Sequence, residues 1–220
     1  MVISYNGVQS FKVQFGDTVL AFDPISKESR LVGGQTKLRA SNFGADIALI
    51  SLNHPDMNGI DQVNRGDKQA FIINGPGEYE IQGIFIKGLP SISNYDLPMK
   101  ADGKKRINTI YTINLENMNL CFLGALNNTE LSKETKSGID GIDILFVPIS
   151  GNGVLSASEA YKFAVSLEPS IIIPMNFNED SLKAFIKEGG DEEVQRTDKL
   201  TIKKKDLESK EGEIIVLSQQ

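Results

Sequence analysis

The sequence holds one histidine, one cysteine and no tryptophan among 220 residues. A lone cysteine excludes a disulfide framework and any thiolate cluster, and it suits a reducing compartment. A lone histidine excludes every site built from two or more imidazoles. No run approaches the ~18 consecutive apolar residues of a membrane span, and Met1–Tyr5 lacks the basic stretch and apolar core of a secretory signal. Basic side chains are outnumbered 23 to 29, for a net charge of −6. That balance argues against nucleic acid, whose backbone attracts clustered Lys and Arg. The two short basic runs, Lys104–Arg106 and Lys203–Lys205, read as a loop tip and the solvated edge of a strand. The expectation is a soluble, cytoplasmic protein that binds neither nucleic acid nor membrane.

What is present suffices for a packed core. Apolar residues make up 40% of the chain, and a chain of this length buries roughly 70% of its unfolded surface. Short β-rich runs at 2–5, 10–15 and 18–22 open the sequence, with Gly16-Asp17 as a hairpin turn. Alternation in Phe11-Lys12-Val13-Gln14-Phe15 puts three apolar residues on one face. Residues 45–51 read as a strand buried on both faces, and further strands follow at 70–73, 79–81 and 84–87. Gly75-Pro76-Gly77 is a glycine turn between two of them, since it lacks the Lys and the strand-to-helix setting of a phosphate loop. Residues 90–105 form the longest apparent loop.

The pattern then restarts, with strands at 108–115, 119–123, 142–148 and 170–174. Cys121, inside one of them and without basic neighbours, reads as inert packing. Ser156 and Glu159 form a capping box ahead of Ala160, Phe163, Ala164 and Leu167 at helical spacing. A second helix spans 179–188 behind the cap Asn178, and 199–205 with 213–217 read as closing strands. Strands such as Ile171-Ile172-Ile173 need cover on both faces. Two packed sheets with helices outside satisfy this, and so does a mixed-sheet layer fold.

Several segments in order, over nearly the whole chain, resemble the metallo-β-lactamase superfamily, in particular its small bacterial branch related to ascorbate-6-phosphate lactonase. They are Tyr5-Asn6-Gly7 with Ser10-Phe11, Phe22-Asp23-Pro24, residues 45–58, Gly75-Pro76-Gly77-Glu78, Cys121-Phe122-Leu123-Gly124, Val147-Pro148 and Pro174-Met175-Asn176. The resemblance implies an α/β fold, a four-layer αββα sandwich with its site at the sheet edges. It would form one domain over 1–220 from two similar halves, about 1–105 and 106–220.

In that family a loop of the form His-x-His-x-Asp-His delivers metal ligands, and later loops add His and Asp. A hydrolytic zinc site wants about three or four N, O or S ligands and an open position for water. Here the loop reads Leu52-Asn53-His54-Pro55-Asp56-Met57. The resemblance places further ligand positions at Ser93, Ala125 and Asn176, and the His of an early Gly-His pair at Val8. A dinuclear zinc centre is therefore expected to be absent. The expected pocket comprises Asp23, Leu52, His54, Asp56, Met57, Ser93, Ala125 and Asn176. The bland readings are a His54 bonded to a backbone carbonyl, an Asp56 bonded to loop N–H groups and an Asp23 in an Asx-type turn. No Ser/His/Asp triad assembles, because only His54 can serve as base and Ser51 ends a strand.

The leading expectation is a non-catalytic member that binds a small molecule or protein and needs no cofactor. The competing one is a lactone or phosphodiester hydrolase in which Asp23, His54 and Asp56 hold one divalent cation, with His54 and Asp56 as candidate catalytic residues. Carboxylate, amide oxygen and water are hard donors, so that cation would be Mn²⁺ or Mg²⁺ rather than zinc. A homo-oligomer, dimer or larger, is expected in either case.

Overall fold

The structure is a computed structural model that describes residues 1–32, 38–97, 105–192 and 195–220. Two sheets face each other. In the first, β1 (Val2–Gly7), β2 (Ser10–Phe15) and β3 (Thr18–Phe22) form an antiparallel meander. The strands β4 (Ile47–Leu49) and β5 (Phe71–Ile73) extend it in parallel, and Leu200–Thr201 borders β1. The chain changes sheet at residues 74–76. In the second sheet β6 (Gly77–Ile81), β7 (Ile84–Ser93), β8 (Arg106–Leu115) and β9 (Met118–Phe122) are antiparallel. The strands β10 (Ile144–Pro148) and β11 (Ile171–Met175) continue it in parallel, with Glu213–Ile214 at the far edge.

The inner faces are joined by aromatic packing. Phe11 meets Phe146 with ring centres 4.9 Å apart, and Phe22 meets Phe122 at 5.0 Å. All four rings are fully buried, and buried aromatics carry a large share of a core's stabilisation. The outer face of the second sheet packs against α1 (Lys133–Ser137), α2 (Ala157–Ser166) and α3 (Glu179–Glu188), through residues such as Leu145, Val147, Ala164 and Phe185. The outer face of the first sheet is small-residued. Val19, Ala21 and Ala48 there meet Ala45, Val63 and Ala70. Among the described residues its cover is loop and a 3-10 turn, Ile60–Gln62, so the outermost layer on this side is thin.

Local signals fixed both long helices. The capping box of α2 and the Asn178 cap of α3 are present as expected, and Ser181 completes a second box at α3 that the pattern reading did not include. Elsewhere the elements differ. Only Ile47–Leu49 of 45–51 is strand, because the pairing to β3 and β5 is that short. The expected loop 90–105 begins four residues late: β7 runs through Pro90 to Ser93, paired with β8, and residues 98–104 lie outside the described set. Lys104 falls there too. The run 199–205 is not one strand, since Lys204–Leu207 is a 3-10 turn whose start is capped by Asp206 accepting from Lys203 N at 2.9 Å. Phe15 is exposed, unlike Phe11 and Val13. The short helix α1 has no counterpart in the pattern reading.

We expect Phe146→Ala to cost about 3–5 kcal/mol, the usual range for removing a fully buried aromatic. Equilibrium denaturation in urea measures it.

Candidate functional site

The site lies at the end of the sandwich where β4, β9 and β10 give way to loops. Ser51 fixes the first of these. Its backbone N and its Oγ donate to Asp23 Oδ1 and Oδ2 at 2.6 and 2.5 Å. Its carbonyl accepts from Thr109 N at 2.9 Å, which ties the first sheet to β8. Beyond Ser51 the loop folds on itself and onto the segment after β3. Met57 N donates to His54 O, Ser26 N to Pro55 O and Gly59 N to Pro24 O. Gly124, with φ of +59°, lets β9 end against this loop: a Cβ there would stand 2.5 Å from that of Ser51. Asn108 then holds the next residue, its Oδ1 accepting from Ala125 N at 2.7 Å.

These constraints bring four replaced positions together. Leu52, Met57 and Ala125 form one buried apolar cluster with Tyr95 and Val154, and Val8 packs against it. Leu52 is 2% exposed, and Met57 and Ala125 are 0%. Three of the positions that the resemblance assigns to metal ligands, 52, 57 and 125, thus converge in space while carrying side chains that do not ligate a hard dication.

Ser93 and Asn176 lie outside the cluster. Ser93 Oγ accepts from Tyr95 N at 3.1 Å, so it shapes the turn that delivers Tyr95. Asn176 N donates to the Val8 carbonyl at 2.5 Å. Tyr95 and Val154 were not expected at the site. Tyr95 follows Ser93 in a polar, irregular stretch, and nothing in that stretch signals its burial.

His54 and Asp56 sit beside the cluster, and every strong polar group on them is engaged. Asp56 accepts from Ser29 Oγ at 2.5 Å and from Tyr95 Oη at 2.7 Å, so its partners are two hydroxyls rather than loop N–H groups. Burial, and then the Asp56 charge, raise the Tyr95 phenol well above its ordinary pKa, which keeps it a donor. Asp56 N donates to His54 Nδ1 at 3.2 Å. Nδ1 also stands 3.4 Å from Asp56 Oδ2, and Nε2 faces Asp96 Oδ2 at 3.0 Å. His54 therefore bonds a carboxylate, not the backbone carbonyl expected of it. Its ring stands edge-on to Tyr95 at 5.2 Å.

Asp23 is not in a simple Asx turn either. Its carboxyl is fully buried against Ser51, and burial pushes its pKa up to about 8 despite the two Ser51 hydrogen bonds. Cys121 is buried, and burial raises its thiol pKa, as suits inert packing.

A divalent metal does not fit this donor set. Asp23 is spent on Ser51, Asp56 on Ser29 and Tyr95, and both His54 nitrogens on other groups. Among the described residues no cluster of three or more His, Cys, Asp or Glu side chains is placed to hold an ion. The backbone tells a different story. Val8, Asp23, Asp96 and Asn176 all adopt left-handed φ, between 40° and 52°, a conformation costly for a β-branched residue such as Val8.

The family model described as the Beta-lactamase superfamily domain matches residues 2–176. The chain belongs to that family. Its curated relatives include a UPF0173 metal-dependent hydrolase of Listeria welshimeri, 24% identical over 204 residues, which cover 81% of this chain and 86% of the relative. A Thermotoga maritima structure described as a candidate Zn-dependent hydrolase of the metallo-β-lactamase superfamily aligns with a TM-score of 0.72 at 22% identity, over 98% of this chain and 97% of that one. Igni18, a metallo hydrolase from Ignicoccus hospitalis, aligns at 0.60 and 17% identity, over 92% and 99%. At these identities the structures show the superfamily's two-sheet fold. Among the described residues no helix is long and apolar enough to cross a membrane.

Two outcomes follow from the geometry. Tyr95→Phe removes one of two donors from a buried carboxylate and is expected to cost about 1.5–3 kcal/mol, the range for hydrogen bonds to charged groups, measured by urea denaturation. For Asp23 the sign is set by a folded pKa near 8 against an ordinary ~3.9 in the unfolded chain. Between those values the folded state holds a proton that the unfolded state has lost. Its contribution is full below the unfolded value and declines as pH rises toward 8, by up to ~1.4 kcal/mol per pH unit. Asp23→Asn is expected to abolish that decline and to be more stable than the parent at pH 7.5. An unaltered pH slope would mean that the carboxyl is already ionised in the folded state.

Proposed function

We propose that this chain is a metal-free, non-hydrolytic member of its superfamily, which binds a small molecule or a protein at the end of its sandwich. The observation that carries this reading is the apolar cluster of Leu52, Met57 and Ala125 with Tyr95, built where the superfamily's ligands are expected to lie. The saturated hydrogen bonding of His54, Asp56 and Asp23 supports it, since freeing any of them for a cation would leave buried groups unpaired. We place the protein in the cytoplasm as a dimer or larger assembly, which size-exclusion chromatography with light scattering tests.

Elemental analysis of protein purified without chelator addresses the metal directly. We expect zinc, manganese and iron all far below one equivalent per chain. Near-stoichiometric zinc would defeat the proposal.

A second reading has one finding in its favour, the relatives named metal-dependent hydrolases. In it Asp23, His54 and Asp56 hold one Mn²⁺ or Mg²⁺ and turn over a lactone or phosphodiester. It requires Mn²⁺-dependent turnover that His54→Ala abolishes, whereas the metal-free reading expects no such turnover in the parent protein.

A further inference from the structure

We propose that Gln9 and Asn176 are the recognition groups of a small-molecule site for a neutral primary carboxamide, an inference that rests on the metal-free reading above. Gln9 is 0% exposed, and neither its Nε2 nor its Oε1 has a hydrogen-bond partner among the described residues. Asn176 Nδ2 is buried and equally unpartnered. Buried amides are nearly always paired in folded proteins, so three orphaned atoms call for a partner from outside the chain.

The two residues belong to one corner of the molecule. Asn176 N donates to the carbonyl of Val8, the residue before Gln9. Gln9 lies in the two-residue turn between β1 and β2, next to Val8, and is fully buried there. Val8 stands between this corner and the apolar cluster.

The chemistry follows from the orphaned atoms, two amide donors and one carbonyl acceptor. A primary carboxamide complements all three at once. Its oxygen has two lone pairs to accept from Gln9 Nε2 and Asn176 Nδ2, and its own N–H donates to Gln9 Oε1. A carboxylate satisfies only the donors and sets an anion against Gln9 Oε1. An aliphatic remainder on the ligand would rest on Val8, the partly buried residue that packs against the cluster.

The test is a titration of the ¹⁵N-labelled full chain with isobutyramide, following the side-chain NH₂ resonances of Gln9 and Asn176. Isobutyrate serves as control, and zinc content is measured on the same sample. We expect a saturable shift with isobutyramide, none with isobutyrate, and binding weakened about tenfold or more in Gln9→Leu, as when a hydrogen-bonding site loses its polar partner. If Gln9→Leu does not fold, the titration of the parent protein still decides. In zinc-free protein, no saturable shift, equal binding of isobutyrate, or unchanged affinity in a folded Gln9→Leu would each overturn the carboxamide site and leave the metal-free reading standing. Zinc-loaded protein would overturn that reading and this inference with it.

Discussion

Two sheets that meet through inward-facing side chains need something to hold their loops together where the strands end. In this chain that closure is apolar burial. Leu52 and Met57 come from the loop after β4 in the first sheet, and Ala125, Val154 and Tyr95 come from loops of the second. A coordinated cation would join such loops by ligand bonds, and a catalytic one would also keep a position open to water or substrate. Burying apolar side chains joins the loops here, worth roughly 1.5–3 kcal/mol for each large one. The hydrogen bonds around the cluster are arranged to match. Tyr95 contributes its ring to the apolar packing and its hydroxyl to Asp56, so one residue satisfies both the core and the buried carboxylate.

The backbone at this end is more constrained than the side chains alone require. Left-handed conformations occur at Val8, Asp23, Asp96 and Asn176. Asp and Asn tolerate that conformation, but a valine does not. Gly124 itself approaches Ser51 so closely that a Cβ there would stand 2.5 Å from that of Ser51, and Asn108 Oδ1 holds the next residue by accepting from Ala125 N. Such strain is ordinarily kept where a site depends on the geometry.

How much of this was legible in the sequence depended on the range of the interaction. The caps of α2 and α3 act over three residues, so Ser156 with Glu159 and the cap Asn178 were legible, while the return bond from Ser181 was not read. The length of β4 depends on its neighbours β3 and β5, and an apolar run from 45 to 51 gave no hint that only three residues pair. The convergence of Leu52, Met57 and Ala125 was visible only through the family resemblance, because no local periodicity links residue 52 to residue 125. The partners of His54 and Asp56 were not visible at all. Asp96, Tyr95 and Ser29 are distant in sequence and carry ordinary loop chemistry. The glycine turn at 75–77 and the packing role of Cys121 were read from immediate neighbours, and both hold.

On the proposed metal-free reading, apolar packing rather than a cation closes the end of this sandwich. Thermal unfolding of the full chain before and after exhaustive dialysis against a chelator measures that directly, because an ion bound to the folded state raises its stability by mass action. The account predicts superimposable melting curves, with no gain on adding back zinc or manganese. A midpoint that falls by several degrees on chelation and recovers with metal would contradict it.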